Sequence, residues 1–283
     1  MRRRARCHAW LAWLGGVRRW APLVVVGFTG FIGSIGCGGS PTRSEWELVW
    51  QDEFEGPAGQ LPDAGRWAFD LGTDWGNGQL EYDTARPENV ALDGAGHLAI
   101  TARRELYQGC AYTSARISTT GRFAQAGGRF EARIRVPLGQ GLWPAFWLLG
   151  ADLATAGWPA CGEIDAMEYR GQEPATVHGS LHGPGYSGGN AVTRRYDYPG
   201  GRLDTDFHVY AVEWTSTRIS WLLDDQVFFS ARPADLPAGA PWVFLHPHNI
   251  ILNLAVGGGF VGAPSPQTLF PQSLLVDYVR VYQ

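Results

Sequence analysis

Six residues, Glu163-Ile164-Asp165-Ala166-Met167-Glu168, gather three carboxylates inside an apolar, strand-like stretch from Gly162 to Tyr169. Side chains alternate faces along a strand, so a regular strand would put Glu163, Asp165 and Met167 on one side and Glu168 on the other. One extra residue, bulged at Ala166-Met167, would return Glu168 to the face of the first two acids; bulges re-aim side chains in this way beside active sites. Acids on one face repel each other, and folding alone gives no reason to collect them. A chance cluster on a solvated face is the plain alternative. The chemistry that uses such a group is cleavage of a glycosidic bond by a carboxylate pair, with a third acid between them tuning both.

The elements that must hold these acids read as strands. Residues 48–54, 97–102, 115–119, 128–136, 209–214, 218–223, 226–229, 250–256 and 274–282 alternate or run apolar, with turn signals between them and almost no helical periodicity. Asp224-Asp225 falls between two of them as a hairpin turn. The one helix expected is short, around Pro233 to Leu236. Aromatics at 13%, with 13 Trp, together with 38 Gly and only 18% charged residues suit strands joined by tight turns, with rings left over to line a groove. No repeat or internal break divides the chain after residue 45, so one all-β sandwich of the jelly-roll type is expected over 45–283.

The N-terminus reads as an export signal. Six Arg precede or enter an apolar run from Trp20 to about Ile35, which ends at Gly36-Cys37-Gly38-Gly39. Residues 1–37 are the targeting segment, with Cys37 placed as a bacterial lipoprotein's lipid-acceptor Cys would be, against simple secretion or an uncleaved anchor; 38–44 is a linker. The apolar run is too short and Gly-rich for a convincing spanning helix, so any membrane contact would come through that lipid. All 23 basic residues are Arg, and beyond residue 37 the chain keeps 17 of them against 27 acids, a formal −10. Nucleic acid and anionic polysaccharide are poor partners for such a surface, and a neutral glycan is a better one. An exported chain can form disulfides, and Cys110 and Cys161 either pair or stay as free thiols. No Cys-x-x-Cys or His-x-x-x-His spacing suggests zinc.

The stretch Trp158-Pro-Ala-Cys-Gly-Glu-Ile-Asp-Ala-Met-Glu-Tyr169 resembles the active-site strand of glycoside hydrolase family 16, in its laminarinase (endo-β-1,3-glucanase) branch. Tyr112-Thr-Ser-Ala-Arg116, Gly128-Arg-Phe-Glu-Ala-Arg133, Gly141-Leu-Trp-Pro-Ala-Phe-Trp147, Val177-His-Gly-Ser-Leu-His-Gly-Pro-Gly-Tyr186 and Val276-Asp-Tyr-Val-Arg-Val-Tyr282 agree with it in order. The resemblance implies a concanavalin-like jelly roll with a concave glycan-binding cleft and retaining, endo-acting hydrolysis. It implies Glu163 as nucleophile, Glu168 as general acid/base and Asp165 as helper. The form with Met167 resembles laminarinases, which favours β-1,3-glucan with tolerance of mixed β-1,3/1,4 linkages. A non-catalytic β-glucan-binding module is the alternative class, but a lectin has no need of both Glu163 and Glu168. Transglycosylation would use the same residues.

Chemistry supports the three roles separately. Retention needs two carboxyls about 5–5.5 Å apart. Four strand steps span about 13 Å, so both Glu side chains must lean over Asp165. Glu163 must be ionised and Glu168 protonated at the start, and a nearby negative charge raises the second pKa as required.

Substrate contacts are expected from Asn77 in the Trp75-to-Tyr82 loop, Arg116, Trp143, Trp147 and His182. Trp143 and Trp147 share a strand face and offer indoles for stacking or for the core. His182 could donate to a sugar hydroxyl or to Glu168, or be structural, and His178 has a weaker claim. Arg116 could bind sugar hydroxyls or pair with a carboxylate. No cofactor is expected for catalysis. The resemblance implies a structural Ca²⁺ held by Glu53, Asp277 and the Gly96 carbonyl, oxygen ligands of the kind Ca²⁺ takes. The chain is expected to act as a monomer.

Overall fold

A computed structural model describes residues 46–283; the expected targeting segment with Cys37, the linker and Glu45 lie outside the described residues. Seventeen strands run through the described part. They are β1 (Leu48–Asp52), β2 (Ala68–Asp70), β3 (Glu81–Asp83), β4 (Val90–Leu92), β5 (Leu98–Tyr107) and β6 (Cys110–Ser114). Next come β7 (Arg116–Ser118), β8 (Gly128–Arg135), β9 (Leu142–Gly150), β10 (Glu163–Tyr169), β11 (Thr176–His182) and β12 (Val192–Asp197). The last are β13 (His208–Thr215), β14 (Arg218–Leu223), β15 (Gln226–Ala231), β16 (His248–Val256) and β17 (Gln272–Tyr282).

They form two sheets. One has seven strands in the order β12-β11-β10-β9-β16-β7-β2, and the other ten, with β15-β14-β13-β8-β17-β5-β6-β3 as its path. Neighbours far apart in sequence, such as β9 beside β16 and β8 beside β17, are the crossovers expected of a jelly roll. Between the sheets, Phe146, Ile164 and Leu252 of the first meet Phe130, Val212 and Trp221 of the second in one apolar core. This is the sandwich that the alternating strands predict.

Local signals explain several joints. Asp224 and Asp225 have φ of 49° and 62°, the left-handed pair that a two-residue hairpin turn between β14 and β15 requires. The Asp224 carboxylate accepts from the Val209 backbone N–H and contacts His208 Nδ1, tying the turn to β13. The expected helix at 233–236 is a single 3₁₀ turn, Pro233–Asp235, because Asp235 folds back to accept from the Arg232 N–H. A four-residue helix, α1 (Leu153–Ala156), has no periodicity to announce it and buries nothing.

β16 is buried along its whole length because it lies centrally. Its Ile250, Leu252, Leu254 and Val256 enter the core, whereas Ile251 and Asn253 lie beneath the side chains of the outer face. That outer face carries the acids.

Candidate active site

β10 lies between β9 and β11, and its pairing slips by one residue. Asp165 pairs with Trp147 and Glu168 with Ala145 on β9; on β11 the same two acids pair with Ser180 and His178. Three steps on β10 therefore match two on each neighbour, which is a β-bulge. Ile164, Ala166, Met167 and Tyr169 all enter the core, so the extra residue is absorbed inward. Glu163, Asp165 and Glu168 are left together on the outer face, as the sequence predicts.

Each acid has its own donors. Glu163 accepts from the Trp158 indole N–H at 2.9 Å. Glu168 accepts from the Trp143 indole N–H at 3.0 Å and from the Ser180 hydroxyl at 3.4 Å. Asp165 is hydrogen-bonded to Glu163, and its Oδ2 lies 3.0 Å from His182 Nε2. The same nitrogen is 3.7 Å from Glu163 Oε1. The Gly188 backbone N–H donates to His182 Nδ1 at 3.1 Å, so in the neutral ring the proton sits on Nε2, facing the two acids. His182 thus lies against Asp165 and Glu163, and acts on Glu168 only through its charge.

Burial pushes all three carboxyls up. Glu163 rises to about 8, with the Asp165 charge adding to the rise and His182 and Trp158 opposing it. Glu168 rises to about 8 through burial and then the Asp165 charge, against the pull of His182, Trp143 and Ser180. Asp165 is raised to about 8 by burial, offset by its bond from Glu163. A trio like this holds protons at neutral pH and shares them, and its titration belongs to the group. Glu163, Asp165 and His182 also bring three metal-type donor atoms within 4.8 Å of one another. A metal needs the Nε2 lone pair, however, and that nitrogen carries the proton, so the trio reads as a proton-sharing cluster.

The flanking residues surround the acids. Trp143 and Trp147 do share the outer face. Trp143 packs on Phe260 and aims its N–H at Glu168, so it touches the reacting group itself. Trp147 donates to Asn253 Oδ1, and the Arg116 guanidinium lies over its ring at 4.8 Å. Arg116 pairs with Asp70 at 3.0 Å and lies 4.6 Å from the Trp75 ring centre; the carboxylate pairing is the one formed. Asn77 is exposed, and its backbone carbonyl accepts from the Gly259 N–H, joining its loop to the glycine-rich loop after β16. His178 sits opposite Glu168, edge-on to Phe260, and burial lowers its pKa. Sequence reasoning passed over Trp158, Ser180, Trp75 and Phe260. Only Trp158 had a visible signal, an aromatic five residues before Glu163 that is still 49% exposed in the fold.

One open choice is decided and one expectation is corrected. Cys110 and Cys161 are both free thiols, the first at the β5–β6 turn of one sheet and the second buried beside β10 of the other. The expected calcium set does not fit. Arg280 binds both carboxylate oxygens of Glu53 at 2.8 Å, and Arg133 binds Asp277. Gly96 stands in a turn whose N–H groups at Ala95 and His97 donate to Asp93. Both side-chain carboxylates of the expected set are thus taken up by guanidinium groups.

Residues 74–272 match the profile of glycosyl hydrolases family 16. A β-glucanase of Rhodothermus marinus is 44% identical over 260 residues, covering 88% of this chain and 89% of that protein. The endo-β-1,3-glucanase of Pyrococcus furiosus superposes with a TM-score of 0.80 at 43% identity, over 84% of this chain and 94% of that one. The laminarinase catalytic domain of Thermotoga maritima does so at 0.79 and 41%, over 84% and 98%. With its jelly roll, its bulged acid strand and this extent of likeness, the chain belongs to glycosyl hydrolases family 16.

Proposed function

We propose that this glycoside hydrolase is an endo-acting β-glucan hydrolase that cleaves β-1,3 linkages with retention, using Glu163 as nucleophile and Glu168 as acid/base. One observation carries the reading: the bulge puts both glutamates on one face with Asp165 between them, each with its own indole donor. Protonated Glu168 gives its proton to the glycosidic oxygen while the Glu163 carboxylate attacks the anomeric carbon and the leaving sugar departs. The bond to Glu163 consumes its charge, and the repulsion that held the Glu168 proton weakens. Glu168 then takes a proton from water, the water oxygen attacks the same carbon, and Glu163 leaves as carboxylate. Asp165 and His182 hold Glu163 in place and share the charge it regains. A binding module would use neither proton transfer.

Relatives named for β-1,3-glucan support the substrate class, and others named as 1,3-1,4-glycanases support tolerance of mixed linkages. Export, with or without lipid on Cys37, belongs to the same reading and rests on the N-terminal sequence alone. Calcium does not belong to it. The test is reducing-end release from laminarin, lichenan and agarose, with the first product's anomer followed by NMR. Laminarin should be fastest, agarose inert, and the first anomer β. Glu163→Gln should abolish turnover but keep laminarin binding. A first α-anomer sinks the mechanism, and a large preference for lichenan sinks the linkage.

A further inference from the structure

The bulge has a partner in the other sheet. Trp221 of β14 is fully buried, and its indole N–H donates across the core to the backbone carbonyl of Asp165 at 2.7 Å. In a regular antiparallel ladder, carbonyls lie in the sheet and point at neighbouring strands. A carbonyl that receives a bond from the facing sheet has turned out of that plane, and it does so at the residue where the register of β10 begins to slip. The indole is itself held, stacked on Phe229 at 4.7 Å beside a second register slip, between β14 and β15.

Gly179 completes the arrangement. It is the single β11 residue facing both Ala166 and Met167. A Cβ there would lie 2.5 Å from Trp221 Cδ1 and 2.8 Å from Nε1, so any other residue would displace the indole. Gly179 φ is not in the left-handed region, so this need is one of space.

We propose that Trp221 is a positioning residue for catalysis: its N–H pins the bulge and thereby sets the aim of Glu168 relative to Glu163, with Gly179 leaving room for the ring. This rests on the roles given to the two glutamates above. Glu163 and Glu168 each have an indole holder on their own face, Trp158 and Trp143, and His182 lies beside Asp165. Glu168 lies beyond the slip, so the geometry of residues 166–167 decides where it points.

The effect is separable from simple destabilisation. A misaimed acid matters most when the leaving group needs a proton, and little when it does not. The experiment compares kcat/KM on laminarin with kcat/KM on 2,4-dinitrophenyl β-laminaribioside for wild type, Trp221→Phe, Gly179→Ala and a Glu168→Gln control, all in the full chain. A fourth protein carries a benzothiophene analogue at 221, which keeps the ring shape and lacks the N–H, in case Trp221→Phe does not fold.

Loss of one buried hydrogen bond should cost about tenfold on laminarin, and the aryl glycoside should change far less. Gly179→Ala should reproduce the pattern without touching Trp221 chemically. If Glu168→Gln is selective for the leaving group but the 221 and 179 variants lose both activities equally, the proposal fails and the assignment of Glu168 stands. If Glu168→Gln is itself unselective, the acid/base assignment falls and the proposal falls with it.

Discussion

Replacing the two indole donors one at a time separates nucleophile from acid. Trp143→Phe removes the N–H that Glu168 Oε1 accepts at 3.0 Å and keeps an aromatic ring against Phe260. A hydrogen bond to a charged group contributes about 1.5–3 kcal/mol, and one pKa unit corresponds to about 1.4 kcal/mol. Ser180 still reaches Oε2, at a longer 3.4 Å, so the net loss falls at the low end, about one unit. The donor favours the charged form, so its removal raises the Glu168 pKa. Activity needs Glu168 protonated, and the alkaline limb of kcat/KM against pH should move up by about one unit, widening the bell. Trp158→Phe removes the donor on Glu163, which must be ionised. The acid limb should then rise and narrow the bell, by about half a unit, because Trp158 is half exposed and water can replace it. The assay is laminarin hydrolysis from pH 4 to 10 at constant ionic strength. Opposite assignments of the limbs would exchange the two roles, and two unmoved profiles would refute the electrostatic account.

Glu81 and Asp83, both buried, are raised to about 8 and about 7, chiefly by burial. The folded state therefore binds more protons than the unfolded one between about pH 4 and 8, and stability should fall as pH rises through that window, by up to about 1.4 kcal/mol per unit per group. Glu81→Gln should flatten the dependence of Tm on pH, and an unchanged slope would exclude Glu81 as its source. Arg129, which pairs with Glu131, Glu213 and Asp225, should cost about 3–5 kcal/mol when changed to Met, because Glu131 stays fully buried; urea unfolding measures it, and Glu131→Gln in the same chain should recover part. Calcium and excess chelator should leave Tm unchanged, since Arg280 and Arg133 hold Glu53 and Asp277; a rise of several degrees with calcium would show that those carboxylates leave their arginines.

What could be read from the sequence was local. The acid spacing in residues 163–168 announced the bulge because alternation has a period of two and the pattern breaks it. Asp224-Asp225 announced a hairpin because few residue types accept two left-handed positions in a row. Contacts between distant segments were not legible. Arg116 meets Asp70 and Trp75 only because β2 pairs with β7. Trp221 reaches Asp165 only because two sheets stack, and nothing near residue 221 hints at a catalytic strand 56 positions earlier. The same limit explains the thiols: Cys110 begins β6 of one sheet and Cys161 lies in the turn before β10 of the other, and sequence separation says nothing of that.

That both Ala166 and Met167 face the core bears on how such a strand evolves. The additional residue is part of the hydrophobic interior, so a codon deletion there would also empty a volume the size of a side chain. Core truncations of that size cost about 2–5 kcal/mol, a large share of the stability of an ordinary domain. A lineage passing from the bulged to the regular strand must refill the core in the same step or survive a weakened intermediate. The aim of Glu168 and the packing of the core would then be inherited together, and single-residue drift between the two forms should be rare.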